Sequence, residues 1–134
     1  MADDLIAVPR IVATWIRGWT LARETPPPVE DHGGYRVDVG WPQQRVRYVF
    51  PRIAPAMCEL AAGITEPWVL VKACASPAAM RGALPARWAI QPPGFMMICH
   101  GPMVGEAAPP DGYSLDATEP LPLAVVEALP PRRE

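Results

Sequence analysis

The chain has 134 residues, a length that one hydrophobic core can organise without disulfides or a structural metal. Half of the residues are hydrophobic and the formal net charge is only −2, which leaves no electrostatic ground for nucleic acid or an anionic membrane as partner. The three cysteines, Cys58, Cys74 and Cys99, are odd in number and far apart, so they argue against a disulfide framework or a metal knuckle and read as reduced, buried small hydrophobes.

The first residues, Met1-Ala2-Asp3-Asp4-Leu5, are acidic where a secretory signal is basic, and no apolar run reaches the roughly 18 residues that span a bilayer. The expectation is a cytoplasmic protein. Nineteen prolines, clustered at Pro26-Pro27-Pro28, Pro92-Pro93, Pro109-Pro110 and Pro130-Pro131, punctuate the periodic segments and predict short elements with rigid connections.

Residues 8–24 are predicted to form a helix. Pro9 suits its first position, and Ile11, Val12, Trp15, Ile16 and Trp19 recur on one stripe, with the tryptophans read as core packing. The helix should stop before Thr25-Pro26, because proline disfavours helical backbone in the residue ahead of it. A loop then runs from Pro26 to Gly34. Tyr35–Val39 and Arg45–Phe50 alternate apolar and polar residues about the turn Gly40–Gln44, which predicts an antiparallel hairpin with Val37, Val39, Val46, Tyr48 and Phe50 on the core face and Arg36, Arg45 and Arg47 on the outer one.

Ile53–Ile64 has helical spacing, with Pro55 acceptable in the first turn. The apolar, β-branched run Trp68–Cys74 predicts a central strand buried on both faces. Ser76-Pro77 supplies an N-cap and a proline for the first position of a short helix that Pro85 closes after Leu84. Arg87–Gln91 and Phe95–Cys99 read as two short strands about the corner Pro92-Pro93-Gly94. From Gly101 onward the composition is that of a proline-rich linker or tail, with a possible strand at Tyr113–Leu115 and a weak helix at Leu123–Leu129. The organisation read from these elements is an α/β domain over residues 1–103 and a tail over 104–134.

Reactive chemistry is sparse. His32 and His100 lack metal-ligand spacing even with Asp31 or Glu106 nearby, so no metal is expected. Cys74, at the carboxyl end of a strand and just ahead of a helix N-terminus, has the best position for a nucleophile, since that dipole lowers a thiol pKa; no histidine stands where a base is needed. There is no Walker loop, no dinucleotide glycine fingerprint and no Gly-x-Ser-x-Gly elbow.

The order helix, hairpin, helix, buried strand, short helix, strand corner is similar to much of the GNAT N-acetyltransferase fold, a central mixed sheet with helices on both faces. Trp15–Arg23, Arg47–Phe50, Val71–Cys74 and Gly94–Met97 resemble the amino-terminal region of bacterial two-part GNAT proteins, in which a catalytic acetyltransferase domain follows. The resemblance covers residues 8–98, and Gly112–Leu115 resembles the beginning of such a following domain.

The family cradles the acetyl-CoA diphosphate in a strand-to-helix loop of pattern Arg/Gln-x-x-Gly-x-Gly/Ala, where backbone N–H groups face the phosphates. The nearest approach is Gln91-Pro92-Pro93-Gly94-Phe95-Met96, with Gln91 and Gly94 as its cofactor-binding candidates. Its two prolines delete donors, and Met96 replaces the small residue. The resemblance therefore implies a GNAT-like module without a bound cofactor, either the amino-terminal part of an acetyltransferase, partnered by a catalytic domain, or a stand-alone relic that binds a partner. Two alternatives are an active small acetyltransferase using acetyl-CoA through an unconventional loop, and a small-ligand or regulatory domain. An open sheet edge beside Phe95–Cys99 predicts a homodimer paired there.

Overall fold

A computed structural model describes residues 9–97 and 110–113. Its first element, helix α1 (Pro9–Arg23), follows from the apolar stripe: Val12, Ile16, Trp19 and Thr20 are buried at helical spacing, with Ile11 and Trp15 half-buried beside them. The helix ends in a Schellman motif. Glu24 takes a left-handed φ of 55°, its N–H donates to the Leu21 carbonyl (3.4 Å) and the Thr25 N–H reaches back to the Thr20 carbonyl (3.2 Å).

The chain then builds a four-stranded sheet in the order β1 (Val29–Asp31), β2 (Gly34–Trp41), β3 (Gln44–Phe50), β4 (Val69–Ala73). The first three strands form an antiparallel meander, and β4 joins β3 in parallel after a crossover through helix α2 (Pro55–Gly63). Helix α3 (Pro77–Ala83) follows; Ser76 caps it by accepting the Ala79 N–H on its Oγ (3.1 Å). The fold is α/β, a mixed sheet covered on both faces.

Strand β1 lies inside the expected Pro26–Gly34 loop. His32 and Gly33 both have positive φ, 49° and 81°, and Asp31 pairs with Gly34, which is a two-residue turn of the kind more often written Asn-Gly. Gly34 is needed for a different reason: a Cβ there would drive into the Phe50 ring and the Val49 carbonyl oxygen.

Cross-strand register corrects the expected hairpin faces. Val37 lies opposite Arg47, and Val46 lies opposite Asp38, so Val46 points to the other side of the sheet from Val37. On one side α1 covers Val37, Val39, Val49 and Arg47. On the other, Tyr48 and Phe50 stack with ring centroids 6.4 Å apart and pack with Met57 of α2 and Met80 of α3. Strand β3 is therefore the buried one: Tyr48, Val49 and Phe50 are buried in succession.

The run Trp68–Cys74 is not central. Strand β4 is the sheet edge, half-buried with Lys72 exposed. Nor are Arg87–Gln91 or Phe95–Met97 strands. Side chains tie the former segment down instead. The Arg87 guanidinium donates to the carbonyls of Ala61, Ala62 (2.7 Å) and Ile64 (2.9 Å) at the end of α2, and Trp88 Nε1 donates to Ala61 (3.2 Å). The two edges of the described sheet are β1 and β4.

By its contacts the chain divides into residues 1–94 and 95–134, and every helix and strand described lies in the first unit. In the second, Phe95–Met97 is irregular, and Pro110–Tyr113 makes a turn closed by the Tyr113 N–H on the Pro110 carbonyl (3.0 Å). The boundary expected at 103, residues 98–100, Glu106, Ser114 and Leu115, and the helix expected at 123–129 lie outside the described residues. No helix among the described residues is long and apolar enough to cross a membrane.

Candidate functional site

The parallel ladder fixes what β4 offers to its surroundings. The Trp68 carbonyl accepts the Arg45 N–H (2.8 Å), and the Cys74 N–H donates to the Phe50 carbonyl (3.2 Å). Backbone groups alternate in such a ladder, so residues 68, 70, 72 and 74 turn theirs to β3 while Val69, Val71 and Ala73 turn theirs outward. Among the described residues no backbone group pairs with that outer row. The row opens into a cleft of about 820 Å³, bounded on its far side by the segment Arg87–Gly94.

The cleft wraps round the strand edge. Leu70, Lys72 and Arg47 reach it from the α1 side, whereas Val69, Val71, Met80 and Leu84 supply an apolar wall from the other. Trp68 stands at its end, 52% exposed and held at a φ of 66°, a left-handed conformation that costs a bulky residue on the order of 1–2 kcal/mol.

Electrostatically the cleft is lopsided. Its carboxylate, Glu66, is 3.9 Å from Arg45, while Arg47 and Lys72 have no acidic partner among the described residues. Arg47 donates from Nε to Gln44 Oε1 (2.6 Å) and lies over the Trp19 ring, 4.7 Å from its centre. Lys72 Nζ sits 5.0 Å from the centre of the Trp15 ring. Burial first, then the charge of Arg23, holds Arg47 below the ordinary arginine value. Burial also lowers Lys72, joined by the charges of Arg47 and Arg23, with the Cys74 thiol acting the other way. Arg47 is half-buried and Lys72 exposed, and neither has an acidic partner among the described residues.

The basic outer face expected from the hairpin is dispersed. Arg36 pairs with Asp38 (2.8 Å), and that hydrogen bond raises its pKa; Arg45 faces Glu66; only Arg47 reaches the cleft. Gln91 and Gly94 both line it, exposed and in irregular chain. Pro92 and Pro93 between them carry no N–H, no helix begins within Phe95–Met97, and a Cβ on Gly94 would meet nothing within 4 Å.

Cys74 and Cys58 are free and half-buried. Burial pushes the Cys74 thiol up, with Lys72 acting against it, the opposite direction to the lowering expected from the helix dipole. His32 hydrogen-bonds Asp31 in the β1–β2 turn, beside a smaller pocket of about 420 Å³ lined by Glu30, Tyr35 and Pro51. Among the described residues no three or more His, Cys, Asp or Glu side chains converge as metal ligands.

Comparisons with known proteins add no further constraint: no family model, no curated protein and no solved structure matches the chain.

Proposed function

We propose that the chain is an acetyltransferase-like module that does not itself bind acetyl-CoA and that works by docking a partner. The observation that carries this reading is the edge of β4, a backbone row with no pairing partner among the described residues, set in an 820 Å³ cleft. A parallel edge strand of this kind attracts another chain unless something covers it.

The cofactor side of the reading rests on the β3-to-α2 turn, the first strand-to-helix connection in the sheet. A diphosphate cradle at such a place needs consecutive backbone donors and close approach. Here the turn is Pro51-Arg52-Ile53-Ala54, the helix opens with Pro55, and Ala54 brings no capping side chain. Prolines remove donors at both ends, and no glycine lets a phosphate near the backbone.

Thermal unfolding with acetyl-CoA tests this directly. A ligand at a hundredfold over its Kd stabilises by about 2.7 kcal/mol. We expect no shift beyond that given by adenosine; a saturable increase specific to acetyl-CoA would establish the chain as a cofactor-binding acyltransferase and retire the docking reading.

A further inference from the structure

We infer that the partner docked at β4 is an extended acidic peptide segment, which adds to the sheet as a fifth strand and sets its carboxylates against Arg47 and Lys72. This rests on the docking reading above and names the chemistry of what is docked.

Two independent features converge on it. The first is the backbone: Val69, Val71 and Ala73 present donors and acceptors at the spacing of a β-ladder, and the chain that flanks the cleft, Arg87–Gly94, is held off the strand by the Arg87 and Trp88 bonds to α2. A helix cannot satisfy such a row; an extended segment does so with its main chain. The second is charge. Arg47, Lys72 and Arg87 line the cleft against a single carboxylate, Glu66, and Arg47 and Lys72 have no counter-ion among the described residues. Two cations without an acidic partner among the described residues, beside an apolar wall, favour a strand that alternates acidic and apolar side chains: successive residues point to opposite sides, so one set meets Arg47 and Lys72 while the other meets the wall formed by Met80 and Leu84. Trp68, exposed at the end of the cleft, provides an aromatic anchor.

A second copy of the chain fits less well. Its own β4, Val-Leu-Val-Lys-Ala, would bring Lys72 toward Lys72 across a two-fold axis and add positive charge where none is neutralised.

The probe is a short synthetic peptide alternating valine with glutamate, compared with its valine–lysine counterpart on the full chain, read by amide hydrogen exchange and by titration calorimetry at low and high salt. We expect at least tenfold slower exchange at Val69, Val71 and Ala73 with the glutamate peptide, saturable and weakened by salt. The lysine peptide should bind at least tenfold more weakly. Arg47→Gln with Lys72→Gln should remove that difference, and because both side chains are partly solvent-exposed the variant remains folded by circular dichroism.

Equal binding of the two peptides, or no protection by either, would overturn the inference. So would protection of the three amides in the free chain: if it depends on concentration the occupant is a second copy, and if it persists at every dilution the edge is already filled. Acetyl-CoA added to the same samples separates this failure from that of the docking reading, since a cofactor-induced melting shift removes the latter whatever the peptides do.

Discussion

The Arg47 guanidinium and the Trp19 ring are 4.7 Å apart, and Arg23 approaches the same ring at 4.4 Å, so one buried indole holds two like charges together on the α1 side of the sheet. Trp19 also meets Trp41, with ring centroids 6.3 Å apart. The two tryptophans differ in burial: Trp19 is 8% and Trp41 38% exposed. Trp19→Ala should cost about 3–5 kcal/mol, a large part of a small domain's stability, and Trp41→Ala about 1 kcal/mol. Urea denaturation of both variants measures the contrast; equal losses would mean that α1 is not held to the sheet by Trp19.

The glycines of α1 and β2 should respond in opposite directions. Gly34→Ala forces a methyl against the Phe50 ring and the Val49 carbonyl and is expected to destabilise by about 3 kcal/mol. Gly18 lies exposed in the middle of α1 with nothing within 4 Å of an added Cβ, so Gly18→Ala should stabilise by about 0.5–1 kcal/mol. Thermal melts of the two variants check the pair.

Ser76→Ala removes the acceptor of the Ala79 N–H and should cost about 1 kcal/mol, with Ser76→Asp restoring most of it. Because α3 delivers Met80 to the core, the loss should appear as faster amide exchange in residues 77–84 before it appears elsewhere.

Alkaline pH should weaken the fold through Tyr48. Burial first, and then the charges of Asp31, Asp38 and Glu66, push its phenol above the ordinary value of 10.0, with Arg36 opposing. The folded chain therefore holds this proton to higher pH than the unfolded one. The stability gained from the neutral phenol is complete below pH 10.0 and falls as the pH climbs through the folded-state value. Lys72, whose pKa is lowered, contributes in the opposite sense over the same alkaline range, so the test is the difference between wild type and Tyr48→Phe. That difference should shift in favour of the variant above pH 10.0 in urea titrations; a constant difference would show that the phenol ionises as freely folded as unfolded.

Helix positions were legible in the sequence because each is fixed locally: the stripe of Val12, Ile16 and Trp19 with Pro9, the early proline of α2, and Ser76-Pro77. What depends on neighbours was not. Alternation in Tyr35–Val39 and Arg45–Phe50 establishes two strands, yet only their register decides that Arg47 lies opposite Val37 and turns inward. Strand β1 was hidden because three residues give no usable period and His32-Gly33 is an uncommon spelling of its turn. The apolar run of β4 read as central because a strand lining a cleft and one buried in a sheet have the same composition. Its one polar residue, Lys72, was the available signal, since a lysine within an apolar strand commonly marks an edge. Without that assignment, the cleft and its two cations without an acidic partner among the described residues were out of reach.

The parallel attachment of β4 also sets an order of assembly. Strands β1, β2 and β3 meet through tight turns, contacts between near neighbours in the chain that close quickly. Strand β4 finds β3 only after the crossover through residues 51–68 has folded back, which makes it the slow, entropically costly contact of the sheet. The β4 edge is therefore the last part of the sheet to form, and a chain laid along it would act as a kinetic latch, lengthening the lifetime of the folded sheet more than it hastens folding.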